Sequence, residues 1–193
     1  GAEASPMNWL VYGVTAWLMV GLELGLRDGF SLGSSGSAPS FVFAFTTFIA
    51  LFAAPHTALW SSLILGLLVD LTGELALVEG RQVAVLIGPN ALGYLLAGQL
   101  TLTLRGVMVR RNPLTLGFLA FASCVVAQIV VVAVYTLRTT YDPIAFMPSQ
   151  QLIARLGTAL MTGGLALFLG LALVPLAPFF GLPAAQQRRF ARR

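Results

Sequence analysis

Apolar positions gather along this chain into six long blocks, at roughly 8 to 26, 40 to 55, 57 to 73, 83 to 104, 114 to 137 and 151 to 177. The short stretches between them hold nearly all of the charge. A hydrocarbon core about 30 Å thick takes about 20 helical residues, so each block predicts a membrane-spanning helix. The second and third blocks run together, because 41 to 69 contains no charged group and one histidine, His56. A single helix of about 32 residues through both blocks would measure about 48 Å, too long for the core without extreme tilt. Pro55-His56 is therefore expected to form a tight turn between two short helices, since proline lacks a donor and disfavours helix in the residue before it. The predicted architecture is all-α, with six transmembrane helices.

Composition strengthens this picture. The chain is 58% hydrophobic and 9% charged, with mean hydropathy +0.88, whereas soluble domains carry about a quarter charged residues. Residues 1 to 6, GAEASP ahead of Met7, fit no part of the apolar pattern and are taken as an expression remnant. The membrane domain then covers 7 to 182, and 183 to 193 is a basic cytoplasmic tail. Trp9 to Leu26 lacks a basic flank and a small-residue cleavage site, so it is expected to remain in the membrane. Arg105, Arg110 and Arg111 cluster between the fourth and fifth blocks, and Arg188, Arg189, Arg192 and Arg193 lie in the tail. Both clusters are expected on the cytoplasmic side of the membrane, with both termini inside. The loops at 27 to 39, 74 to 82 and 138 to 150 would face outward. The tail also suits anionic membrane lipid.

Charge inside an apolar block is costly in lipid and marks a packed interior or a functional site. Asp70 lies four residues from Gly66 and three from Gly73, so all three share a helical face that should meet another helix. Gln151, Arg155, Thr158 and Thr162 draw one polar stripe along the sixth block, and Cys124, Gln128, Tyr135 and Arg138 draw another along the fifth. Glu23, Asp70 and Arg155 fall at similar outward depth on three helices, where they could converge on a cavity or an ion-pair network. Arg27 at i+4 offers Glu23 a surface partner, whereas Arg155 is the expected partner of Asp70. Asn90 and Tyr94 are four apart, and Gly93 with Ala97, like Gly21 with Gly25, forms a small-residue pair suited to close helix contact. Pro89 is expected to kink the fourth helix.

Catalytic signatures are missing. The sequence holds no H-E-x-x-H, no Gly-x-Ser-x-Gly and no phosphate-cradling glycine loop, and all eleven basic residues are arginine. Ser34 and Ser35 sit in a Gly/Ser-rich loop suited to flexibility rather than nucleophilic attack, and Cys124, the lone cysteine, cannot form an intrachain disulfide. The polar stripes are too short to require a channel. No enzyme activity, metal, cofactor or nucleic-acid partner is expected.

Two runs carry a resemblance. Gly66-Leu67-Leu68-Val69-Asp70 and Gly88-Pro89-Asn90-Ala91-Leu92-Gly93-Tyr94 resemble runs in consecutive membrane helices of the MreD family of rod shape-determining proteins. The intervening stretch between Asp70 and Gly88 looks longer than the family's usual link. The resemblance implies a non-enzymatic membrane scaffold of the cell-elongation (Rod) complex, supporting peptidoglycan synthesis. It would bind MreC and connect the actin-like MreB, indirectly, to RodA and a penicillin-binding transpeptidase. It also implies a fold similar to the six-helix substrate-binding subunits of energy-coupling-factor vitamin transporters. Such a subunit is the alternative reading, although the Ala-x-x-x-Ala motif usual in its first helix is absent, with Val20 four residues after Ala16.

Overall fold

The computed structural model describes residues 7–30, 37–73, 75–76, 83–84, 87–108, 112–141 and 147–182. Six helices follow in order: α1 (Trp9–Phe30), α2 (Phe41–Phe52), α3 (Pro55–Thr72), α4 (Pro89–Leu104), α5 (Pro113–Arg138) and α6 (Pro148–Leu176), closed by a 3-10 turn at Ala177–Phe180. Between α3 and α4, β1 (Leu75–Ala76) pairs antiparallel with β2 (Val83–Ala84). Apart from that short ladder the described chain is helical. Proline opens four of the helices, at a position where a missing N–H costs nothing and a fixed φ is already helical. Trp9–Leu26, Pro113–Arg138 and Pro148–Phe180 are long and apolar enough to cross a membrane.

Three boundaries differ from expectation. The fourth apolar block starts as β2 and not as helix, because Val83 and Ala84 find partners in Ala76 and Leu75. Pro89 is the first residue of α4 and kinks nothing. The break between α2 and α3 falls at Ala53 and Ala54, with Pro55 and His56 already in α3, where the His56 Nε2 accepts from the Trp60 indole at 3.0 Å.

The core is built around α2. All twelve of its residues are buried, and it packs against each of the other five helices. At 12 residues it is about 18 Å long, well short of a hydrocarbon core. Phe45 and Phe48 meet Phe180, and Phe45 stacks on Tyr12, fixing α1 and the final turn to one end of α2. Elsewhere small residues set the spacing, letting helix backbones approach closely. A Cβ on Gly66 would come within 2.7 Å of Ala91 Cα in α4, and one on Gly93 within 3.0 Å of the Ala127 carbonyl in α5. The outer surface is apolar, with Trp17, Ile153 and Phe168 each more than 70% exposed.

Candidate functional site

Gly88 ends the segment before α4 with φ +125°, a backbone that favours glycine, and it has no side chain with which to cap the helix it precedes. The cap comes from α3. The Asp70 carboxylate accepts from the backbone N–H of Gly88 (2.8 Å), Asn90 (3.0 Å) and Ala91 (3.0 Å), and from the Asn90 side-chain amide (2.9 Å). Pro89 has no N–H to satisfy, so one carboxylate serves all of the donors at the first turn of α4. Its charge also lies at the positive end of that helix dipole. Gly66, one turn earlier in α3, brings α4 close enough for this, with Ala91 and Tyr94 against it. Gly73 follows as the C-cap of α3.

Asp70 is 1% exposed, and its four bonds leave Arg155 out. The expected Asp70–Arg155 pair is therefore replaced by a helix cap. The physical reason is that backbone N–H groups satisfy a buried carboxylate without the cost of desolvating a second charge. Arg155 instead donates Nη1 to Gln128 Oε1 at 2.7 Å and lies 5.6 Å from the Tyr135 ring centre.

A second acid does related work at α2. Ser40 is the N-cap, its hydroxyl accepting from Phe43 N–H at 3.1 Å and donating to the Glu23 carboxylate at 3.0 Å. Glu23 also accepts from Val42 N–H at 2.9 Å, and Ser40 N–H reaches Thr162 Oγ1 at 3.0 Å. The opposite end of α2 is held by Arg105, whose Nη1 donates to the Ala50 (2.8 Å) and Ala53 (2.6 Å) carbonyls. An anion at its N-terminus and a cation at its C-terminus both match the dipole of this buried helix. The Arg27 side chain, Ser34, Ser35, Arg110, Arg111 and the arginines of the tail lie outside the described residues.

A cavity of about 420 Å³ opens where α1, α3 and α5 end and α2, α4 and α6 begin. Glu23 of α1 and Arg155 of α6 line it, with Asn90 and Tyr94 of α4 and Gln128 and Tyr135 of α5 between them. Gln151 and Thr158 line it too, while Thr162 is spent on Ser40. The predicted polar stripe of α6 is thus the wall of this cavity. Asp70 stands behind it and contributes no lining atom.

The small-residue pairs divide. Gly93 packs on Ala127 and Val131, and Ala97 is buried, so this pair serves contact within the chain. Gly21 and Gly25 are exposed, and a Cβ on either meets nothing within 4 Å. Arg105 escaped sequence reasoning because it was read only as charge for topology. Asp70's role had one sequence signal, a helix start Gly-Pro-Asn with no capping side chain at the glycine. Comparison with known protein families, curated proteins and solved structures finds no match to this chain.

Proposed function

We propose that this chain is a non-enzymatic scaffold of MreD type in the bacterial cytoplasmic membrane, binding MreC within the cell-elongation complex. One observation carries the reading. The two runs that resemble MreD form a single structural unit here, the carboxylate of Gly66-Leu-Leu-Val-Asp70 capping the helix that Gly88-Pro-Asn-Ala begins. A motif in two pieces has a reason to occur as a pair when one piece completes the other.

In this reading α1 to α6 are the six membrane helices, both termini are cytoplasmic, and α2, too short to cross the hydrocarbon core alone, lies inside a sleeve of the other five. The exposed Gly21/Gly25 face of α1 then lies toward lipid or a partner helix. Co-expression with full-length MreC and affinity purification in mild detergent tests the assignment, with stoichiometric recovery expected. Failure to recover MreC together with failure to restore rod shape in cells lacking MreD would remove it. Cysteines at positions 109, 190 and 34 test the topology independently. The first two are expected to be shielded from an external thiol reagent and the third to react.

A further inference from the structure

The exposed residues of α4 are Leu92, Leu96, Gln99 and Thr103. Their spacing of four, three and four draws one line down the helix, the spacing of a coiled-coil seam with an amide among its apolar residues. Thr103 asks nothing of a neighbour, because its hydroxyl donates to the Gln99 carbonyl one turn back, at 3.0 Å. The Gln99 side chain is different. Among the described residues it is the one exposed side-chain amide more than a turn inside a helix, and it makes no side-chain hydrogen bond there. It also lies about 4 Å along the axis from the middle of α4. With α1 to α6 as membrane helices, that is hydrocarbon depth, where an amide without a partner is costly.

We propose that two copies of this chain pair through α4, the Gln99 amide of each hydrogen-bonding that of the other. Copies inserted in one orientation carry each residue at the same depth. A two-fold axis along the membrane normal therefore sets α4 parallel to α4 and Gln99 level with Gln99. The amide is complementary to its own copy, the partly positive N–H of one meeting the partly negative oxygen of the other. A second copy is thus a partner certain to present the matching group at this depth. Leu92 and Leu96 continue the same seam, and the three-four spacing suits the crossing of about +20° common among membrane helices. Length favours pairing too. At 16 residues α4 is about 24 Å long, short of the core, and a short apolar helix relieves the mismatch by associating. The pairing rests on the membrane placement of α4 and not on the binding of MreC.

The full chain carrying Cys124→Ala, reconstituted alone into vesicles of phosphatidylethanolamine and phosphatidylglycerol, tests the seam by oxidative cross-linking of single introduced cysteines. Leu92→Cys, Leu96→Cys and Thr103→Cys should each give disulfide-linked dimers. Ile129→Cys and Ile153→Cys, on exposed faces of α5 and α6, should not. Förster transfer between donor-labelled and acceptor-labelled copies, followed as the vesicles are diluted with lipid, measures the dimer constant. Gln99→Leu should weaken pairing about threefold to twentyfold, the range of polar couplings measured between membrane helices, and Gln99→Asn should retain part of it. Because Gln99 is exposed, Gln99→Leu should keep the parent melting temperature in dilute detergent, which a structural role within its own chain would not allow. Cross-linking at position 129 equal to that at position 92, or a dimer constant unmoved by Gln99→Leu, would overturn the pairing. So would a chain that stays monomeric at every dilution, which would give this face to lipid or to another protein's helix without bearing on MreC recovery.

Discussion

Glu23 and Asp70 hold the same post in successive hairpins. Each sits near the end of one helix and accepts backbone N–H groups at the start of the next, Glu23 for α2 and Asp70 for α4. The difference lies in what else is available. Ser40 already caps α2 with its own hydroxyl, and Thr162 takes the Ser40 N–H, so Glu23 shares the work. Gly88 gives α4 no side chain, so Asp70 carries its cap alone and is buried in doing so. A shared cap leaves an acid able to face a cavity, and a sole cap draws it into the protein interior. The residue whose charge looked most anomalous in the sequence is thus the more structural of the two.

Asp70→Ala breaks the comparison most severely, because it strands the backbone donors of Gly88 and Asn90, both part-buried, and of Ala91, which is buried. A loss of about 3 kcal/mol or more is expected in detergent unfolding, with Asp70→Asn recovering part of it through its remaining oxygen. Native-like stability in Asp70→Ala would mean that α4 does not depend on this cap. Gly66→Ala should cost about 1 to 3 kcal/mol by overpacking, since its new methyl falls 2.7 Å from Ala91 Cα and pushes α4 away from the carboxylate. If Gly66→Ala and Asp70→Ala prove additive in a double-mutant cycle, close approach and capping are separate devices.

Glu23→Ala is expected to cost about 1 kcal/mol, the usual scale of a helix-cap contact. Added to Ser40→Ala it should cost more than the sum of the singles, because each side chain covers for the other. A Glu23→Ala loss as large as that of Asp70→Ala would erase the distinction drawn between them. Smallest of all, Gly21→Leu and Gly25→Leu should change stability by no more than about 0.5 kcal/mol, there being nothing within 4 Å for the new side chain to strike. Their effect is sought in MreC recovery. Unchanged recovery would assign this face to lipid.

Much of the helical layout was legible because apolar block length and proline placement act locally. The stripe Gln151, Arg155, Thr158 was legible for the same reason, its period of three and four residues needing only one helix. Residues 83 and 84 misled because a short apolar run satisfies helix and strand alike, and the choice was made by a pairing with residues 75 and 76. The partner of Asp70 was hidden for a different reason. Side chains advertise their charge in a sequence, but the N–H groups that claimed this carboxylate are common to nearly every residue. Only the absence of a capping side chain at Gly88 hinted at the vacancy. Arg105 was hidden likewise, its acceptors being the carbonyls of Ala50 and Ala53.

The two ends of α2 also have a timetable. Glu23 is synthesised before α2 and waits for it, whereas Arg105 follows Ala53 by 52 residues and Thr162 follows Ser40 by 122. At about 5 to 20 residues per second, the second interval lasts about 6 to 24 seconds. During that time α2 leaves the ribosome with its C-terminal carbonyls uncovered and most of its future neighbours unmade. With a cysteine introduced into α2, nascent chains arrested just before Arg105 should therefore react with thiol reagents there, and chains released after Thr162 should not. The central helix of this protein is among the first made and the last to be enclosed.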